Sequence, residues 1–181
     1  KTDVAKQLAF DIYKNLSVDL LFQSALNDKN QPVKISKSLN ELINFRAFDN
    51  NQKLDKLLNK LIEDKGFYGK ISRLSLTDFA RFLSDIYDIN KEVAQSIFSS
   101  RKSNEIAEQL IKDKENLYSV TQIINNLNKV SSKSSKEVLL KLINSESFLS
   151  IEKSTDLNGL HEFKQCLKSH NLHLKKESIE T

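Results

Sequence analysis

The chain has 181 residues, 39% of them hydrophobic and 29% charged, and its net charge is +4. This composition excludes a disordered chain, and no apolar run approaches the roughly 18 residues that a membrane-spanning helix needs. Because only three Gly and one Pro interrupt it, an all-α fold is expected. The single Cys excludes a fold built on disulfides. The chain begins at Lys1 and contains no Met, which predicts a trimmed piece of a longer polypeptide.

The first predicted helical pair begins after residues 27–38, which contain the only Pro and are predicted to form a loop. Ser38 opens a phrase that ends in Glu41, a pattern typical of a helix N-terminus. A second helix then carries an apolar face at Leu54, Leu57, Leu58 and Leu61. Gly66 follows Lys65 and is predicted to stop this helix with a positive φ.

The next predicted pair begins at Ser75, an expected N-cap with Asp78 three residues later. The first helix is expected to end near Asn90, and a second helix follows it. Residues 104–118 predict one further helix. Spacings of three and four residues place one set of side chains in the core: Phe79, Phe82, Leu83, Ile97 and Phe98.

A third predicted pair begins at Ser119, again an expected N-cap, and its two helices are separated by a predicted loop at residues 131–135. The phrase Lys-Glu-Val occurs at Lys91 and again at Lys136. These recurrences predict helix–loop–helix units of roughly 35–45 residues, at 38–70, 75–118, 119–153 and 155–173. About nine or ten helices are expected in one domain over residues 1–181. They form either stacked hairpins, as in a short α-solenoid, or an irregular bundle.

The stretches SLTDFARFLSDIYDINKEVAQSIFSS and SVTQIINNLNKVSSKSSKEVLLKLINS resemble helical-hairpin repeats of the octotricopeptide and FAST-kinase-like type. The resemblance covers residues 38–168 and rests on apolar spacing. It implies a helical array whose concave face binds organellar or other RNA. The chain has no Trp, so the Trp-containing phrase of those repeats is absent.

The residue types that could carry chemistry are sparse. Cys166, His170 and His173 form the one cluster of soft metal ligands, with His161 upstream, but structural zinc sites usually contain paired Cys from distant segments. Cys166 is therefore predicted to be a small buried hydrophobe, and no metal or cofactor is expected. The acidic pair Asp85 and Asp88 is predicted to lie on a solvated face. A non-catalytic protein is expected.

The candidate partner-binding residues are four lysines, Lys129, Lys133, Lys136 and Lys141, which share their segment with a single carboxylate, Glu137. Lysine steers anions without reading sequence, so the expected contact is with RNA or with an acidic protein surface. The chain has 24 Lys and four Arg, as AT-rich codon usage produces, so lysine abundance alone does not indicate nucleic acid.

These patterns favour a helical interaction module that binds a macromolecule, with a protein partner preferred to RNA. Two alternatives stay open. One is an RNA-binding helical-repeat protein, and the other is a compact helical domain of a secreted or surface microbial protein that binds a host component.

Overall fold

The computed structural model describes residues 4, 7–8, 11–12, 15–27, 32–44, 52–113, 116–153 and 156–172. Within them the all-α prediction is confirmed, with ten helices of eight residues or more, one helix of six, and no strand. In chain order the helices are α1 Val18–Asn27, α2 Pro32–Asn44, α3 Gln52–Glu63, α4 Lys65–Ser72, α5 Leu76–Ile89, α6 Lys91–Ser99, α7 Ser103–Lys112, α8 Leu117–Val130, α9 Ser132–Ile143, α10 Phe148–Lys153 and α11 Leu157–Ser169.

The predicted core is confirmed: each of its five members is no more than 3% exposed. They belong to one cluster of buried apolar side chains that runs from Leu39 on α2 to Leu167 on α11. Each of these helices has one apolar face, which it can bury only against a neighbouring helix. Burial of these faces against each other therefore holds the helices together.

Ser75 is confirmed as the N-cap of α5, because its Oγ accepts a hydrogen bond from the backbone N–H of Asp78 at 3.1 Å. The same prediction for Ser119 is wrong. Ser119 is the third residue of α8, and its N–H donates to the side chain of Asn116, the true N-cap, at 2.8 Å. Asn is as good an N-cap as Ser, and Asn116 lies three residues before Ser119.

The loop predicted at 27–38 is wrong for Asn27 and from Pro32 onward, while residues 28–31 lie outside the described residues, and the helix stop predicted at Gly66 is also wrong. The only Pro, Pro32, is the first residue of α2, a position where its missing N–H costs nothing. Ser38, the predicted start, therefore lies inside this helix. Gly66 is the second residue of α4 and has no positive φ. Its helix begins because Asp64 accepts from the N–H of Phe67 at 2.7 Å, and the Phe67 ring is buried.

The segment predicted as a loop at 131–135 is instead the start of α9. Ser131 alone separates α8 from α9, and Ser135 is fully buried. The helix predicted at 104–118 is two elements, because α7 ends at Lys112 and Leu117 already belongs to α8.

Helices α5 and α8 correspond residue by residue at an offset of 41. Each has 14 residues, and the buried positions coincide without exception. They are Leu76, Phe79, Ala80, Phe82, Leu83, Ile86 and Ile89 in α5, and Leu117, Val120, Thr121, Ile123, Ile124, Leu127 and Val130 in α8. The agreement extends into the next helices, where Ala94, Ile97 and Phe98 of α6 match Ser135, Val138 and Leu139 of α9.

The links between these helices correspond as well. Asn90 has φ −147° and ψ 106°, and Ser131 has φ −154° and ψ 104°. Each residue ends one helix with its backbone N–H and begins the next with its side chain, which accepts from Val93 or Ser134. One residue therefore serves as both caps, and the two helical pairs turn in the same way.

Every third helix packs against the next helix of the same series. The main contacts join α2 to α5, α5 to α8, and α8 to α11, so these four helices form one layer, called here the four-helix layer. The helices between them pack alongside, α1 on α3 and α7 on α9. Within the part of the chain that the structure describes, the outward side of the layer is open, with Arg81, Asp88, Asn125 and Lys129 exposed on it.

The two capping results predict different responses to the same substitution. Ser75→Ala is expected to lower the free energy of unfolding by about 1 kcal/mol, because an N–H of the first turn loses its acceptor. Ser119→Ala is expected to change it by less than about 0.5 kcal/mol, because the Ser119 side chain caps nothing and Ala is a good helix former. Urea denaturation of both variants measures the difference, and equal losses would contradict the assignment of Asn116 as the cap.

Candidate interaction surfaces

The structure separates the four candidate lysines into two groups. Lys129 lies in the last turn of α8, and its Nζ is 2.6 Å from Oδ2 of Asp88 on α5. The other three, Lys133, Lys136 and Lys141, lie on α9. Lys129 thus joins two helices of the four-helix layer, and the α9 lysines form a surface of their own.

The outward face of α9, called here the α9 face, consists of Lys133, Lys136, Glu137, Leu140 and Lys141. Spacings of three and four residues place them on the side opposite the buried Ser135, Val138, Leu139 and Leu142. Leu140 is an apolar side chain on this face and is 37% exposed. Glu137 accepts a hydrogen bond from the Ser103 hydroxyl of α7 at 3.1 Å, so this carboxylate is directed to a neighbouring helix.

A row of polar contacts crosses the four-helix layer from α2 to α8. Asp85 of α5 accepts from Ser36 at 3.1 Å and from Asn40 at 3.3 Å. The side-chain amide of Asn40 also donates a hydrogen bond to Asp88, and the Asp88 carboxylate forms an ion pair with Lys129. The solvated face predicted for Asp85 and Asp88 is confirmed for Asp88, which is exposed, whereas Asp85 is half-buried between helices.

Equivalent positions on the layer carry uncharged hydrogen-bonding side chains. The correspondence does not extend to α11, because matching Phe163 to Ile123 would place Leu157, 85% exposed, at the position of the fully buried Leu117. At the offset of 41, Ser84 of α5 corresponds to Asn125 of α8, and Gln165 is a further uncharged side chain, exposed on α11. Each can donate and accept hydrogen bonds.

The charges at neighbouring outward positions of the layer nearly balance. The exposed or half-buried charged residues of the layer are six cations, Lys34, Lys37, Arg81, Lys129, Lys164 and Lys168, and five carboxylates, Glu41, Asp78, Asp85, Asp88 and Glu162. Nζ of Lys37 is 3.9 Å from Oε1 of Glu41, and Nζ of Lys129 forms an ion pair with the Asp88 carboxylate. The open face of the layer is therefore polar with little net charge.

A groove of about 690 Å³ lies between the end of α4, the start of α5 and one side of α7. Arg101 is central to it. Its guanidinium carbon is 3.9 Å from the centre of the Phe79 ring, and Nη2 donates to the carbonyls of Ile71 at 3.2 Å and Ser72 at 2.8 Å. Burial lowers the pKa of Arg101, and Glu105 opposes that shift. No sequence pattern had singled out Arg101, whose contacts lie about 30 residues away in the chain.

The cluster of Cys and His predicted from sequence is a packing contact in the structure. His170 is 4% exposed; Nδ1 lies 2.8 Å from the carbonyl of Cys166, and Nε2 lies 3.1 Å from Oγ of Ser135. Because a carbonyl only accepts, Nδ1 carries a proton. Among the described residues no group of three or more His, Cys, Asp and Glu could hold a metal ion, and His173 lies outside them.

The Ser135–His170 pair has the residue types of a nucleophile and its base, but neither side chain meets solvent. Ser135 is fully buried and also contacts the carbonyl of Ser132 and the side chain of Asn128. A substrate could not reach its hydroxyl without separating α9 from α11. The contact therefore joins α9 to the end of α11.

Cys166 is predicted to be unreactive in the folded protein. Burial raises the pKa of its thiol from 9.0 to about 11, so the nucleophilic thiolate is suppressed at neutral pH. Labelling by an aromatic disulfide reagent at pH 8 is expected to be slow and to accelerate when urea unfolds the chain. Because the unfolded thiol ionises first, this residue also makes stability fall as pH rises from about 9 towards 11. Labelling that is equally fast with and without urea would contradict this.

Comparison of the chain with protein-family models, curated proteins and solved structures finds no match. Within the part of the chain that the structure describes, none of the helices has the length and apolarity to cross a bilayer. The functional argument therefore rests on the surfaces described above.

Proposed function

We propose that the chain is a non-catalytic helical interaction module, a short α-solenoid of three-helix units, and that its partner is a protein. The observation that carries this proposal is the open face of the four-helix layer. Stacked helices present equivalent side chains in rows, and such rows commonly form extended binding surfaces. Here the layer supplies a row of three side chains, Ser84, Asn125 and Gln165, that are uncharged and able to donate and accept.

The chemistry of this row favours a polypeptide over RNA. An amide side chain offers one acceptor and one NH₂ group, which complement the N–H and C=O of a peptide backbone. A surface that follows a phosphate backbone needs a stripe of cations. The cations of the layer are instead interspersed with carboxylates such as Asp85 and Asp88, and Lys129 is already paired with Asp88. The proposed ligand is therefore an extended protein segment rather than a polyanion.

Selection from a library of short random peptides displayed on phage tests this function. The layer variant is Ser84→Ala/Asn125→Ala/Gln165→Ala. The matched control, Asn59→Ala/Ser96→Ala/Asn104→Ala, removes the same kinds of exposed side chain from α3, α6 and α7. Peptides selected on the wild-type chain should bind the control equally and the layer variant about tenfold more weakly.

Two outcomes would contradict the proposal. One is the absence of enriched peptides, or enriched peptides that bind the layer variant as well as the wild type. The other is a mobility shift with random-sequence RNA that is strong at about 50 mM salt, weak at about 200 mM, and lost in the layer variant. That second result would instead support the RNA-binding alternative.

A further inference from the structure

We infer that the α9 face binds an acidic segment of a partner protein and that this segment places an apolar side chain against Leu140. The inference concerns a surface outside the four-helix layer, so it goes beyond the proposed function and does not depend on it.

The charge of the α9 face favours an anionic partner. Lys133, Lys136 and Lys141 have no ion-pair partner in the part of the chain that the structure describes. The one carboxylate among them, Glu137, is hydrogen-bonded to Ser103. Three cations on about two helical turns therefore remain available to an acidic ligand.

Helix α6, which corresponds to α9, shows that such a helix packs without lysines or an exposed leucine on its outward side. At the offset of 41, the outward positions of α9 correspond to Glu92, Gln95, Ser96, Ser99 and Ser100 on α6 and its C-cap. These α6 residues include neither a cation nor a large apolar side chain, although the buried positions of the two helices match. The lysines and Leu140 thus distinguish α9 from α6, and the fold forms without such a face on α6.

The exposed Leu140 favours an acidic protein segment over a nucleic acid as the ligand. It is a neighbour of Lys136 one turn away, so a ligand that neutralises the lysines must also cover it. A phosphate backbone gains nothing from covering Leu140, and neither an aromatic ring nor an Arg lies on the α9 face for contact with bases. An acidic protein segment with one apolar residue satisfies both the charge and the exposed leucine.

The test exchanges the α9 face for the residues that α6 carries. The exchange variant is Lys133→Glu/Lys136→Gln/Leu140→Ser/Lys141→Ser, and α6 shows that this set suits such a helix. The control, Lys56→Glu/Lys70→Gln/Lys112→Ser, makes the same change in net charge at exposed sites on α3, α4 and α7. The probes are a fluorescent amphipathic peptide of Glu and Leu, the same peptide with Ser for every Leu, and an oligouridine of equal charge.

The Glu/Leu peptide is expected to bind the wild type and the control alike, and to lose at least about tenfold in affinity for the exchange variant. Leu140→Ser alone should weaken the Glu/Leu peptide about fivefold and leave the Glu/Ser peptide unchanged. Equal binding of the two peptides would overturn the role of Leu140. Equal losses in the control and the exchange variant, or tighter binding of oligouridine than of the Glu/Leu peptide, would overturn the site. Circular dichroism of each variant verifies that it is folded.

Discussion

Phe82→Ala is expected to lower the free energy of unfolding by about 3–5 kcal/mol. Phe82 is 1% exposed in the middle of α5, the helix that contacts both α2 and α8 in the four-helix layer. Truncation removes most of the ring and leaves a cavity that three packed helices cannot close completely. In a chain of 181 residues this loss should reduce the melting temperature by more than about 6 °C.

The correspondence between α5 and α8 supplies the control for this experiment. The position equivalent to Phe82 in α8 is Ile123, which is also buried. Phe82→Ile is therefore expected to cost clearly less than Phe82→Ala, because a large apolar side chain still fills the space. Thermal denaturation of the two variants should order them in this way. A melting temperature for Phe82→Ala equal to that of the wild type would mean that the buried face of α5 is assigned wrongly.

Arg101→Ala is expected to lower the free energy of unfolding by about 2–3 kcal/mol. The guanidinium satisfies two carbonyls at the end of α4, and hydrogen bonds from a charged donor contribute about 1.5–3 kcal/mol. It also covers the Phe79 ring, and a cation over an aromatic face adds about 0.5–1 kcal/mol. Part of this gain is offset by the desolvation that lowers the pKa of Arg101.

Arg101→Lys tests which property of the side chain matters. Lysine keeps the charge but lacks the planar group that lies over Phe79 while donating to Ile71 and Ser72. Urea denaturation should place it between the wild type and Arg101→Ala. If Arg101→Lys equalled the wild type, the positive charge alone would explain the effect. If Arg101→Ala equalled the wild type, the contacts at the end of α4 would contribute nothing to stability.

The apolar faces could be read from the sequence, whereas the helix boundaries could not. Burial of Phe79, Phe82 and Leu83 follows from a 3.6-residue period, which many consecutive residues define together. A cap depends on one side chain, and Asn116 and Ser119 are both good candidates. They lie about one turn apart, so choosing Ser119 preserved the face of α8 and displaced only its start. The same displacement made the recurrence between the pairs look longer than the offset of 41 that the buried residues establish.

The candidate surfaces were harder to predict from the sequence than the helix boundaries, because they depend on tertiary contacts. The sequence predicts that the four lysines share one helical pair with Lys133 in its loop, whereas the structure places Lys133, Lys136 and Lys141 on α9. The sequence could not show that Lys129 binds Asp88, because that pair joins residues 41 positions apart. The equivalence of Asn125 with Ser84 likewise required the register of α8 against α5. For Arg101, the carbonyls that it binds became identifiable only when the end of α4 was known.

The packing of every third helix has a consequence for how the chain folds. The main contacts of the layer join residues separated by about one three-helix unit, and none joins α2 directly to α11. Contacts of limited sequence separation close small loops, so folding should be fast for a chain of this length. It should start at α5 and α8, which have layer neighbours on both sides, and extend outwards. Backbone amides of α5 and α8 should therefore exchange with deuterium last, and those of α11 earlier, because only one layer helix covers it.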